Sequence, residues 1–417
     1  MPAIQIISLV ILGIILALSI WRKVNVGVLA YAATLVLALI SAQDPTKTFS
    51  AFPASLVILI IGVTLLFAHA ERSGAINWLI GVSLRPIGTR RWLVPCIGFF
   101  AGAALSTIGA FPTAPISLLL PILARLAKAY RLNYLVLAII CVWGSNAAGL
   151  SPLSPAGALV QTLAAKANVT YSPWEVYGII MGLHAVLCAV LFYVKGGIRQ
   201  RATGVNAAEK IDPASIIERT PLNAYSIASL IGLAAMVIGA VGFKLDIGLT
   251  AISLALVLQL VFRPKESELI AKVPWSVVLL LSGLVVYLGL LEKIGTLGGV
   301  QDAVSHIGSP LLLIVVLTYL TAAVSNVESS TLVVLGIMVP IGFSVAGHDP
   351  MAQLAMLVAV VMSAAVVAIS PVHIGGALII GNAHDQQRAY RKMFAVTGVT
   401  AAVVPALMAI YPIAIGI

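Results

Sequence analysis

The stretch SPLSPAGAL, residues 151–159, sets two Ser-Pro pairs and a glycine inside a segment otherwise apolar enough to lie in a membrane. Proline lacks a backbone donor and its ring clashes with the preceding turn, so a spanning helix breaks here and its freed backbone groups need new partners. A second copy follows 219 residues later: SPVHIGGAL, 370–378, with both members of the Ser-Pro pair and the closing Gly-Ala-Leu retained. The same offset lays AALS at 103–106 on AAVS at 322–325, and Pro121-Ile122 on Pro340-Ile341. An offset of 221 aligns Pro53, Gly62, Glu71 and Gly74 with Pro274, Gly283, Glu292 and Gly295.

This self-similarity divides the chain into two repeats, 1–195 and 222–417, joined by a polar, basic linker, 196–221. The first repeat reads as spans, a re-entrant hairpin (92–124), a broken helix (132–166) and a last span; 306–343 and 350–383 are the matching hairpin and broken helix. Each repeat crosses the membrane an odd number of times, so the second starts from the opposite side. Inverted repeats with corresponding broken helices are the arrangement with which secondary transporters build a midplane site. The expected fold is an all-α polytopic membrane protein of two inverted-topology repeats, with about ten full spans plus two hairpins.

Composition agrees. The 417 residues are 61% hydrophobic and 9% charged, which no water-facing fold of this size accommodates. The net charge of +10 does not point to nucleic acid. Counting loops alternately from an outside N-terminus puts every Lys and Arg on one side except Lys47, Lys166, Lys244 and Lys293. That is the positive-inside bias of a plasma-membrane protein of the bacterial inner-membrane type, with the linker cytoplasmic and both termini outside. No basic residue precedes the first apolar run, which reads as a span and not a signal peptide. Cys96, Cys141 and Cys188 sit singly in apolar segments and read as small core residues. Trp143 and Tyr134 read as members of an interfacial aromatic belt.

The chemistry concentrates at four places: hairpin tips STIGAFPT (106–113) and SNVESSTL (325–332), and breaks GLSPLSP (149–155) and AISPVHIGG (368–376). A half-helix N-terminus suits a carboxylate, and unwound carbonyls suit Na⁺. No Lys or Arg lies deep in a span, so a bound cation would supply charge the protein lacks. Glu328 at the second tip, where the first has Gly109, is either a cation or proton site or a solvated rim residue. His373, opposite Ser154 in the repeat, carries a group that titrates near neutral pH. Asn146, opposite Ala365, is either an asymmetric site contact or an interhelical hydrogen bond. Nothing resembles a phosphate loop, zinc motif or hydrolase elbow. Ser370 and His373 are three apart, but a broken helix gives no dependable spacing for an enzyme's nucleophile and base.

The segments VNVGVLAYAATL, ILIIGVTLLFAHAERSGAINWL, ALSTIGAFPTAPISLLLPI and NAAGLSPLSPAGALV resemble the malonate-type dicarboxylate carriers (MatC). These belong to the ion transporter superfamily that also holds the divalent anion/sodium symporters. SNVESSTLVVLGIMVPI and ISPVHIGGALIIGN resemble the matching second-half elements, so the resemblance covers most of the chain. It implies a homodimer in which each protomer has a scaffold and an elevator-like transport domain, with tips and breaks binding a small carboxylate and often Na⁺. By position, Ser106, Thr107, Thr113, Asn326, Ser329, Ser330 and Thr331 at the tips, and Ser151, Ser154, Ser370 and His373 at the breaks, would bind substrate. Asn146, Ser325 and Glu328 would serve the coupling cation. The sodium symporters carry Ser-Asn-Thr at both tips. Here Ser325-Asn326 is followed by Val327-Glu328, and Ser106-Thr107 by Ile108-Gly109, so Na⁺ and H⁺ both stand as coupling ions. The expected function is cation-coupled transport of a malonate, malate or succinate type dicarboxylate, without an enzyme activity or a cofactor beyond the ion. The alternative is a cation/proton antiporter or oxyanion exporter of the same superfamily.

Overall fold

The computed structural model describes residues 1–87, 90, 92–194, 221–305, 310–328, 330–347 and 349–414. The expected linker lies outside them, Pro221 apart. Every regular element described is helical. The first series is α1 (Ala3–Arg22), α2 (Val26–Ile40), α3 (Ala54–Arg72), α4 (Ala75–Leu84), α5 (Leu93–Thr107), α6 (Thr113–Ala129), α7 (Tyr134–Ala148), α8 (Pro155–Lys166) and α9 (Pro173–Val194). The second is α10 (Ala224–Gly242), α11 (Ile247–Phe262), α12 (Glu266–Ile270), α13 (Trp275–Lys293), α14 (Thr296–Ser305), α15 (Pro310–Val327), α16 (Thr331–Ala346), α17 (Pro350–Val366), α18 (Ile374–Gly381) and α19 (Gln386–Ala414). The second series repeats the first helix for helix, with α12 standing where the first has a 3₁₀ turn, Pro45–Ala51.

Seven described helices are long and apolar enough to cross a bilayer, counting α17 and α18 as one broken span. Helix α2 is shorter than its apolar run because polar caps stop it at both ends. Asn25 accepts from the Gly27 N–H at 2.8 Å, and the Ser41 hydroxyl donates to the Leu37 carbonyl at 2.7 Å.

The inversion is visible in α3 and its repeat partner α13. Lys272, just ahead of α13, donates to Glu71 at the end of α3 at 2.9 Å, while Lys293 at the end of α13 donates to the carbonyl of Lys47, ahead of α3, at 2.9 Å. The two helices therefore run antiparallel. Where α2 crosses α13 and α11 crosses α3, backbones touch through Gly27 against Gly283 and Gly248 against Gly62; a Cβ at any of the four would overlap backbone atoms. The two contacts exchange under the 221-residue offset. With no water to drive association inside a bilayer, such close small-residue crossings hold helices together.

Helices α5 and α6 form an antiparallel hairpin, with Gly98 beside Leu123 and Gly102 beside Leu119. It runs to Ala129, five residues past the expected end. At its tip Gly109 has φ +114°, a left-handed conformation that a side chain resists, and lies against the Leu153 carbonyl of the first break. Helices α15 and α16 pair likewise, with Leu317 beside Gly342.

At both breaks the chain folds back on itself. The carbonyl of Ser151 lies over Gly157, and that of Ser370 over Gly376, closer than any Cβ would allow. Several freed carbonyls are met by protein donors. Trp143 Nε1 donates to Val366 O at 2.9 Å and Ser325 Oγ to Ala364 O at 3.1 Å, while Ser154 Oγ donates to Gly149 O. This corrects the belt expectation for Trp143, which is 2% exposed because its indole serves the second break from α7. Tyr134 is half-buried and donates to Ile379 O at 3.0 Å, tying α7 to α18. Cys141 and Cys188 are buried as expected; Cys96 is exposed, on the outer side of α5.

Candidate functional site

The tips and breaks meet at one cavity of about 380 Å³. Thr113, Asn146 and Ser154 line it from the first repeat, and Ser330, Thr331 and His373 from the second. Four helices start at its wall: α6 at Thr113, α8 at Pro155, α16 at Thr331 and α18 at Ile374. The first amides of each lack intrahelical acceptors, and each end carries a partial charge of about +0.5. These helix ends give the cavity positive partial charge with no buried cation among its described lining residues. Among the described lining residues Lys272 alone carries a positive charge, and it sits half-exposed at the rim, paired with Glu71. An anion here is held by helix ends and hydroxyls.

One hydroxyl is oriented. The Gly375 N–H donates to His373 Nδ1 at 3.3 Å, and His373 Nε2 lies 3.1 Å from Thr331 Oγ1. In the tautomer that accepts the Gly375 N–H at Nδ1, the ring proton sits on Nε2 and is donated to Thr331. The Thr331 hydroxyl proton is then free for an acceptor in the cavity. On the facing wall Asn146 donates its Nδ2 to Val142 O at 2.9 Å, which leaves its amide oxygen as an acceptor.

Other expected site residues lie outside this wall. Thr107 donates to Ala103 O at 2.7 Å and meets the Tyr177 hydroxyl of α9 at 2.6 Å. Ser151 accepts from the Leu153 N–H within its own turn at 3.2 Å. Ser325 caps the Ala364 carbonyl, Asn326 donates to Ala322 O at 3.1 Å, and Ser370 is buried behind the break. Glu328 is buried at the second tip, away from the cavity lining. Ser329 lies outside the described residues. Ser106 is fully buried and its Oγ has no hydrogen-bond partner among the described residues; Ser145 on α7 is also buried, its hydroxyl beside the Cys141 thiol.

The wall also holds residues that sequence reading missed. Thr64 and Phe67 of α3 line it, yet look like ordinary span residues. Glu71 had a signal, its match to Glu292 in the repeat. Tyr177 had none.

The family model that matches the chain is that of the citrate transporters, CitMHS, over residues 16–360. A comparison with curated protein sequences finds no match. Among solved structures, the chain is similar to the YdaH transporter of Alcanivorax borkumensis, described as having an unusual topology. The TM-score is 0.62 at 15% identity, over 89% of this chain and 87% of that one, a likeness of fold. With the family model spanning most of its length, and with a polyhelical fold around an electropositive cavity, the chain belongs to the CitMHS citrate transporter family and is a secondary carboxylate or anion transporter, not an enzyme.

Proposed function

We propose that the chain carries small solutes with two or more carboxylates, citrate and the malonate, malate and succinate type among them, across a bacterial plasma membrane by cation-coupled, elevator-like alternating access. The observation that carries this reading is the convergence of four helix N-termini on a cavity whose described lining holds no buried ammonium or guanidinium. Two ends come from each repeat, so they favour a solute with carboxylates at both of its ends. The MatC-like tips and breaks support the dicarboxylate members of this set.

In this reading the hairpins and broken helices move against a frame of α2, α3, α11 and α13, which its glycine crossings hold rigid. Exposed apolar residues on frame helices, Leu35, Leu39 and Leu260, suit lipid and a second protomer. The buried hydroxyls of Ser106 and Ser145 offer oxygen ligands for Na⁺, a hard cation, and Glu328 offers a proton carrier.

The test is uptake of labelled citrate, malate, succinate and malonate into proteoliposomes, with Na⁺ and H⁺ gradients imposed separately. Uptake of at least one, lost when its driving gradient is collapsed, is expected. No uptake of any under either gradient overturns the reading.

A further inference from the structure

The cavity wall contributed by α3 has an image on α13. Under the 221-residue offset, Thr64, Phe67, Ala68 and Glu71, which line the cavity, correspond to Val285, Leu288, Gly289 and Glu292. Because α3 and α13 are antiparallel, that image faces the opposite end of the molecule, and there all of it but Glu292 is buried. Lys166, the last residue of α8, lays its ammonium across it, donating to Ala51 O at 3.0 Å and Val285 O at 3.5 Å, beside Gly289 and within the attraction of Glu292. Residue 51 is the repeat partner of Lys272. The covered end thus has Lys166 on position 51; the open end has Lys272 on Glu71.

Extending the 219-residue offset of the breaks carries Lys166 onto Asp385, at the start of α19. Asp385 is exposed, accepts from the Arg388 N–H at 2.9 Å, and forms no ion pair with Lys272 among the described residues. By sequence offset, although Asp385 lies past the end of α18, the pair that touches at the covered end has, at the open end, partners that do not touch and that carry opposite charges. We infer that Lys166 is the latch that closes one face of the transport path, and that Asp385 closes the other by drawing Lys272 away from Glu71 when the cavity changes sides. Lys272 thus alternates between its pair with Glu71 and a closing contact with Asp385, and Lys166, once released, can meet the carboxylate of an arriving solute. The inference rests on the transport reading and adds to it the residues that hold each face shut.

The test uses the full chain in a Cys96→Ser, Cys141→Ala, Cys188→Ala background, with Phe67→Cys or its repeat partner Leu288→Cys labelled by a charged maleimide. Lys166→Met is expected to raise the labelling rate at Leu288→Cys about tenfold and to lower it at Phe67→Cys, the scale of a typical conformational coupling. Unchanged rates, or rates that rise together, overturn the latch. Independently, and with Lys166 intact, Lys272→Cys with Asp385→Cys is expected to form a disulfide under mild oxidation and to slow labelling at Phe67→Cys; no disulfide overturns the second closure. Neither readout needs a solute. Opposed rates in a protein that takes up no carboxylate would thus keep the closure and reject the substrate assignment.

Discussion

At the first break Ser154 turns inward, its hydroxyl donating to Gly149 O, and α8 begins with no side chain capping its amides. At the second, His373 holds the repeat position of Ser154 but looks outward, its ring bridging the Gly375 N–H and the Thr331 hydroxyl of the opposing hairpin. The backbones are nevertheless alike, each folding a serine carbonyl over a glycine. Duplication therefore fixed the shape of the breaks, and the exchange of one side chain gave the site a direction. One break offers a bare helix end, and the other offers an end whose cap also orients a donor.

The shared backbone is the part of this comparison that breaks most severely. A Cβ on Gly376 or Gly157 would overlap the carbonyl of Ser370 or Ser151, which is held by its own turn and cannot yield cheaply. Gly376→Ala and Gly157→Ala are each expected to destabilise the fold by about 3–5 kcal/mol, the range of severe core substitutions. Thermal unfolding of the purified proteins would show it. Gly178→Ala on α9, where an added Cβ meets nothing within 4 Å, should melt at or above the parent temperature. Equal melting of all three would mean that the fold-back is not a constraint.

The side-chain difference is tested at Thr331. Thr331→Val keeps the shape of the residue and removes the only hydroxyl that His373 orients. A hydrogen bond to a charged group is worth about 1.5–3 kcal/mol, so the apparent KM for the transported carboxylate should rise roughly 10- to 150-fold. His373→Ser, which restores the first-break residue, removes only the orientation and should raise KM roughly 3- to 10-fold, a neutral hydrogen bond's worth. If His373→Ser costs as much as Thr331→Val, the imidazole contacts the solute directly instead of orienting the Thr331 hydroxyl.

Much of the fold was legible because its constraints are written in residue types that act on the backbone. Pro and Gly at matched offsets announce the breaks, and Gly27, Gly62, Gly248 and Gly283 recur where helices cross. The site was legible only as a region. Ser151, Ser325 and Thr107 are hydroxyls at the expected tips and breaks, yet they bond to their own turn, to a neighbouring helix carbonyl and to Tyr177. Which partner a hydroxyl takes depends on rotamer and packing, and no sequence offset records that. Trp143 shows the same limit: its residue type fits a membrane interface, whereas in the fold its indole N–H meets the Val366 carbonyl at the second break. Lys272 and Asp385 read as loop charges until the antiparallel course of α3 and α13 gives them repeat partners in space.

The smallest expected effect sharpens the comparison furthest. Ser154 lines the cavity, so a reading by proximity would count it among the solute's ligands. Its proton is already committed to Gly149 O, and only its lone pairs face outward, which a carboxylate does not seek. Ser154→Ala should therefore cost about 1 kcal/mol of stability, as one internal hydrogen bond does, and change KM by less than about threefold. A tenfold rise in KM at an unchanged melting temperature would show instead that the hydroxyl swings from Gly149 to the solute. The first break would then bind with a side chain as the second does, and the asymmetry between the repeats would lie in the geometry of their donors, not in which break has one.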